Sequence, residues 1–296
     1  MRNASRWLLQ LWHTRLACAT ELMVVFFVTL PSLTWLSAED KATPDNAEKQ
    51  NIEAAFKMTR DAARNYEFEI RGVDQPAVLR EQPILRWSNP ERGQVYGNVF
   101  LWTQRGRPAV VGSLFKWFSP FTHMSHEFHS LSIGEIAGEY DSREVWRSVE
   151  PGVTFASVPD APAVAATPAT RLTQMRQLAR QFTARSVDRE GLKSELRQLT
   201  QPVYRYELDK NSVDLLDGAL FVFVQGTDPD VWLLFEAVKS ADQSAPQWQF
   251  AIARMNSIEI TVEHNGRQAW HCDILPFRDV ATTHKLPYTS FKIDKP

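Results

Sequence analysis

GNVFLWTQRGRPAV at residues 97–110 and GALFVFVQGTDPDV at residues 218–231 are the two stretches that decide the fold. Each reads as two arms rich in Val, Phe, Leu and Trp on either side of a Gly- and Pro-containing turn, the pattern of a β-hairpin. The arms run from Val99 to Thr103 and Pro108 to Phe118 in the first, and from Ala219 to Val224 and Val231 to Val238 in the second. Aligned without a gap, the stretches share Gly97/Gly218, Phe100/Phe221, Gln104/Gln225, Pro108/Pro229 and Val110/Val231.

Two further blocks recur in the same order. Gln82-Pro83-Ile-Leu-Arg86-Trp87 matches Gln201-Pro202-Val-Tyr-Arg205-Tyr206, and IAGEYDSREVW from Ile136 matches ITVEHNGRQAW from Ile260. The three offsets are 119, 121 and 124, a drift that short loop insertions explain. Collinear blocks anchored on aromatic, Gly and Pro residues predict an internal duplication. The third block is itself a hairpin, because Asp141-Ser142 and Asn265-Gly266 are tight-turn pairs. That turn is expected to bring Glu139 near Arg143 and Glu263 near Arg267, as surface ion pairs worth at most about 1 kcal/mol each.

A helix precedes each copy. Asp45 to Glu48 is a capping signal, and Ile52, Ala55, Phe56, Thr59, Ala62, Ala63 and Tyr66 fall on one helical face. Leu172, Met175, Leu178, Ala179 and Phe182 do the same in the second copy, and Leu192, Leu196 and Leu199 suggest a further short helix. The predicted class is α+β, internally duplicated, with two halves that each pack a helix on a curved antiparallel sheet of about four to six strands. The divisions are a signal peptide at 1–38, a polar lead-in at 39–46, a first repeat at 47–156 and a Pro/Ala-rich linker at 157–170. A second repeat at 171–281 and a C-terminal tail at 282–296 complete the chain.

Composition bounds the rest. With 44% hydrophobic residues, ten Trp and seventeen Phe in 296 residues, the chain can bury a sizeable core. The N-terminus carries Arg2, Arg6 and Arg15, then the apolar run from Leu22 to Leu30, then Ser37-Ala38, an export signal with cleavage expected after Ala38. The protein is therefore expected to be exported, periplasmic or extracellular. The alternative is membrane anchoring by this segment if it stays uncleaved, its only expected membrane contact. Removing residues 1–38 takes away three Arg and one Glu, leaving 30 basic and 34 acidic residues and a net charge of −4. No basic excess points to nucleic acid. Cys18 lies inside the signal, so the mature chain keeps Cys272 alone and forms no internal disulfide. LRWSNPERGQVYGNVFLW and DGALFVFVQGTDPDVWLLFEA behind a signal peptide resemble an uncharacterised exported protein family of planctomycete bacteria. The resemblance implies export and no activity.

The stretch HMSHEFH, His123 to His129, holds three of the seven histidines, with Glu127 among them. Aligning Phe128 with Phe250 puts QWQFAIA opposite it and marks it as a strand. Alternate strand residues share a face, so His123, Ser125, Glu127 and His129 point one way and His126 and Phe128 the other. His123, Glu127 and His129 are the candidate metal-ligating or acid/base residues, and no cofactor is identified. The string is not the H-E-x-x-H of a zinc protease helix, and partly exposed strand residues are the default reading. Asp228 and Asp230 read as turn residues. His271 and Cys272 face opposite ways on a strand, so Cys272 reads as a buried, inert thiol. The function expected is an exported binding or structural module with an unknown ligand in a cleft between the halves. The alternatives are a metal-dependent or acid/base hydrolase using His123 to His129, and a subunit of a cell-envelope complex whose partner is an envelope protein.

Overall fold

The computed structural model of the chain describes residues 44–209, 214–239, 245–276 and 285–293. The expected signal peptide, residues 1–38, lies outside the described residues. Residues 44–157 form α1 (Pro44–Arg64), β1 (Tyr66–Ile70), β2 (Val78–Leu79), β3 (Leu85–Ser88), β4 (Gln94–Gln104), β5 (Arg107–Ser119), β6 (Met124–Ser130), β7 (Ile136–Tyr140), β8 (Arg143–Ser148) and β9 (Ala156–Ser157). The chain continues with α2 (Pro168–Ala179), β10 (Phe182–Val187), β11 (Lys193–Gln198), β12 (Tyr204–Arg205), β13 (Leu215–Gln225), β14 (Asp228–Val238), β15 (Gln247–Arg254), β16 (Glu259–His264), β17 (Arg267–Cys272) and β18 (Tyr288–Ile293). The class is α+β in the broad sense, dominated by antiparallel sheet with two helices.

Both predicted long hairpins form, as β4–β5 and β13–β14. Around them the pairing follows one order in each half. In the first, β2 and β3 both pair with β4, β5 pairs with β6, and β1 pairs with β7, which pairs with β8. In the second, β11 and β12 both pair with β13, β14 pairs with β15, and β10 pairs with β16, which pairs with β17. The halves differ where β10 also pairs with β11, closing a nine-stranded sheet. In the first half a single bridge, Phe68 to Ala77, stands at that place, so six strands and three strands form separate sheets. Each half thus holds eight strands of its own, more than the sequence suggests, because the short β2, β3, β11 and β12 have no strong alternation.

Three apolar layers hold the elements together. Ala62, Ala63, Phe68, Phe100, Trp102, Phe128 and Trp146 pack between α1 and the curled sheets of the first half. Met175, Leu178, Phe182, Phe221, Phe235 and Ile260 do so beneath α2. Between them, Val99, Leu101 and Val111 of the first half meet Leu220, Val222, Trp232 and Ala251 of the second. The halves therefore pack face to face through a filled layer. Two contacts lock its edges: Ser88 and Thr227 exchange hydrogen bonds of 3.0 and 2.7 Å, and the Arg107 guanidinium donates to both carboxylate oxygens of Glu236 at 2.7 and 3.2 Å.

Several local expectations change. α1 starts at Pro44, so Asp45 lies inside it and is not its N-cap. Tyr66 and Phe182 belong to strands. Leu192, Leu196 and Leu199 make no helix: Lys193–Gln198 is β11, which buries Leu196 and leaves Leu192 65% exposed. The linker is extended but tied down, since Gln174 of α2 hydrogen-bonds Ala163 and Ala165. Asp141, Ser142, Asn265 and Gly266 all adopt positive φ, as the tight turns require. The register past those turns places Glu139 opposite Glu144, and Glu263 instead accepts a hydrogen bond from Arg185 of β10 at 2.6 Å. The tail is no loose end, because β18 pairs with β6 along six residues.

The first and second recurring blocks have one steric cause. Trp87 of the first block lies against Gly97 of the second, and Tyr206 lies against Gly218 in the same way. A Cβ at either glycine would sit far inside van der Waals contact with the ring. Both rings are 7% exposed, and the Trp87 ring is also held by its indole N–H, which donates to Ser113 at 3.0 Å. Gly97→Ala and Gly218→Ala are each expected to destabilise the fold by about 1–3 kcal/mol, the cost of overpacking a filled core. Urea unfolding checks this, and a Gly97→Ala variant as stable as the parent would show that the ring yields.

Candidate functional site

The HMSHEFH stretch from Met124 onward lies in strand β6, flanked by β5 and β18. Its two faces meet different chemistry. His126 and Phe128 are fully buried among Tyr66, Tyr140 and Phe291. The Tyr66 hydroxyl and His126 Nδ1 are 2.6 Å apart, and Nε2 has no hydrogen-bond partner. Burial pulls the His126 pKa down to about 3, so the ring is a neutral core group. Gly112 of β5 leaves the space that the Phe128 ring fills.

The other face of β6 turns toward the second half, and there Glu127 and His129 part company. Ser290 of β18 donates to Glu127 Oε1 at 3.3 Å. Glu127 is partly buried by area, and its densely packed carboxyl is raised from 4.5 to about 7. Burial is the main cause, bonds from Ser290 and Tyr288 oppose it, and the charge of Asp230 adds to it. Asp228 closes the turn after Gln225, as its turn chemistry predicts, while Asp230 lies within the strand. They lie on the first strand turns of β14 and face the same region, with Asp230 only 1% exposed. Asn256 donates to Asp230 Oδ1 at 2.8 Å while Oδ2 has no partner, and burial lifts this carboxyl to about 6. Asp228 is raised well above the carboxylate range by burial and by the fields of Asp230 and Glu127. Three acids that share a poorly solvated region cannot all ionise cheaply, so protons stay on the group near neutral pH. Arg92 pulls in the opposite direction on all three.

His129 Nδ1 lies 2.7 Å from its own neighbour's carbonyl, Ser130 O, which fixes Nδ1 as the N–H donor and leaves Nε2 as the acceptor. Burial lowers its pKa to about 4, so it is neutral too. The ring lines a cavity of about 400 Å³ between the halves, walled by Val153, Ile252, Trp270 and Leu286, with Arg254 as the one arginine or lysine among its described lining residues. Arg254 is 7% exposed, and its guanidinium donates to three backbone carbonyls: Asn256 at 2.7 Å, Asp273 at 3.0 Å and Ile258 at 2.6 Å. No motif marks Arg254 in the sequence. Its only signal is a cation closing the apolar strand QFAIAR.

His123 precedes β6 and lies near Trp117 and Phe121 in tilted contacts, with ring centroids 6.3 and 5.6 Å away. The structure therefore keeps the three candidates apart: His123 in an aromatic turn, Glu127 with two aspartates, His129 at the cavity. Among the described residues no three His, Cys, Asp or Glu side chains are arranged to hold a metal ion. His271 is held by Thr261 at 3.1 Å and Asp273 at 3.2 Å. Burial pushes the Cys272 thiol up to about 11, far from a ready thiolate.

Glu127 gives a pH test with a fixed sign. Between about pH 4.5 and 7 the folded chain holds a proton that the unfolded chain has lost, so stability declines as pH rises through this window. Glu127→Gln cannot ionise and keeps an acceptor for Ser290. It is expected to be near neutral at pH 4 and to stabilise the fold by roughly 1–3 kcal/mol at pH 8. Denaturant melts at the two pH values check this, and an equal effect at both would show that the carboxyl is not strained. No protein family, curated protein or solved structure matches the chain.

Proposed function

We propose that the protein is an exported binding module whose ligand site is the cavity where its two halves meet, and that the halves arose by duplication. The observation that carries the binding reading is the cavity itself. Its volume of about 400 Å³ falls within the range of small-molecule sites, and its walls combine apolar side chains with the polar groups of His129, Arg254, His271 and Tyr288. Both halves build it, His129 and Tyr288 from the β6–β18 pair and Ile252 and Trp270 from β15 and β17. Duplication is supported by the common pairing order, the two aromatic rings seated on Gly97 and Gly218, and the positive-φ turns at 141–142 and 265–266. Export rests on the N-terminal sequence, and no helix among the described residues is long and apolar enough to cross a membrane.

The acid/base alternative has less support. A general base has to reach a substrate proton with its partner groups converging, whereas Glu127 and His129 face different surroundings and His123 lies beyond both.

A neutral solvatochromic dye is expected to bind the purified protein with one-to-one stoichiometry and a blue-shifted emission. Thr154 lines the mouth and is exposed, so Thr154→Trp blocks entry without disturbing the core. At least tenfold weaker dye binding by this variant, with unchanged thermal melting, is the expected result. Undiminished binding would place the dye elsewhere and remove the cavity from the reading.

A further inference from the structure

Arg254 is a buried cation that no carboxylate among the described residues pairs with. Arginine is rarely buried unless an acid pairs with it, and Arg107 and Arg171 follow that rule. Arg107 meets Glu236 and Arg171 meets Asp217 at 2.7 and 2.8 Å. Arg254 is 7% exposed, yet all its hydrogen bonds are to the carbonyls of Asn256, Ile258 and Asp273. Those bonds take three of the five guanidinium N–H groups and neutralise none of the charge.

The remaining charge acts on the cavity. Arg254 lines it, lies over the Tyr288 ring at 5.7 Å, and bears on His129, Cys272 and Tyr288, three further wall residues. Asp230, the nearest candidate counter-ion on β14, is instead bonded by Asn256. The Asp273 side chain is 95% exposed and bonded to His271. The cavity lining therefore combines apolar side chains with a held cation that no described carboxylate pairs with, and the neutral His129 ring is part of the same wall.

We propose that the ligand of this cavity is a small amphiphilic anion, its carboxylate or phosphate held by Arg254 and its hydrocarbon part packed against Val153, Ile252, Trp270 and Leu286. This rests on the reading of the cavity as the binding site and names the ligand's chemical class. A charge-assisted bond in a poorly solvated site is the strong kind, and the backbone carbonyls hold the guanidinium in place before the ligand arrives.

Calorimetric titration of the purified protein with octanoate, octyl phosphate, octan-1-ol and octylammonium separates the claims. The expected result is that one or both anions bind at least tenfold more tightly than octanol, with octylammonium weakest. The tighter of the two anions then identifies the headgroup. Arg254→Gln is expected to bring anion affinity down to that of octanol while octanol binding is kept, and Arg254→Lys is expected to restore part of the preference. If Arg254→Gln does not fold, the order of the four ligands on the parent protein still decides. Octanol binding as tightly as both anions, or octylammonium binding best, would overturn the anionic ligand and leave the cavity as an apolar site. Binding of none of the four would overturn both the ligand class and the cavity reading.

Discussion

The structure depends on one constraint: β4, β5, β13 and β14 are covered on both faces. Each lies between the core under its own helix and the layer shared with the other half. An antiparallel strand with one wet face alternates polar and apolar residues, whereas a strand buried twice reads as an unbroken apolar run. That is why VFLW at 99–102 and LFVFV at 220–224 dominate the sequence, and why the two hairpins could be located from it. It also makes any polar residue in the shared layer costly unless it is paired or neutral.

The polar residues at the rims of this layer show two solutions. At the tip of the first hairpin Arg107 reaches across to Glu236, which Gln249 also bonds at 2.8 Å. In the gapless alignment the counterpart of Arg107 is Asp228, at the tip of the second hairpin. There the neighbour is Glu127, itself aligned with Gln249, so opposite charges in one place become like charges in the other. The first contact is an ion pair that ties the halves together. The second is a set of carboxyls that burial and mutual repulsion keep protonated. One architecture thus carries a stabilising contact at one rim and a strained one at the other.

What the sequence makes legible is what short-range geometry determines. The positive-φ turns at 141–142 and 265–266, the glycines beneath Trp87 and Tyr206, and the alternation of HMSHEFH each follow from residues close together in the chain. The alternation separates His126 and Phe128 from Glu127 and His129, and the structure keeps that separation. What stays hidden depends on partners far away in sequence. β18 returns across the whole second half to pair with β6, and nothing in TSFKI names that partner. Asp228 and Asp230 carry turn chemistry but are enclosed by the opposite half. The leucines at 192, 196 and 199 fall at helical spacing, and only the pairing of β11 with β10 and β13 puts Leu196 in a strand and the other two at its ends.

The returning strand also accounts for the position of the cavity. β18 extends the first sheet beyond β6, so Tyr288 and the preceding Leu286 stand opposite Arg254, Trp270 and Cys272 of the second half. β15 is covered along its outer edge by β9 only at Gln249 and Phe250, which leaves its end near Ile252 and Arg254 open to that wall. An apolar pocket is thereby built where the second half's own core meets the edge of the first half. Arg254 is held there by carbonyls of the loop after β15 and the end of β17, bonds that fix its position without cancelling its charge. A cation placed only for folding would gain more from the carboxylate that its sister arginines have. Among the described residues it has none, and it stands in the wall of a cavity that the two halves build together with His129.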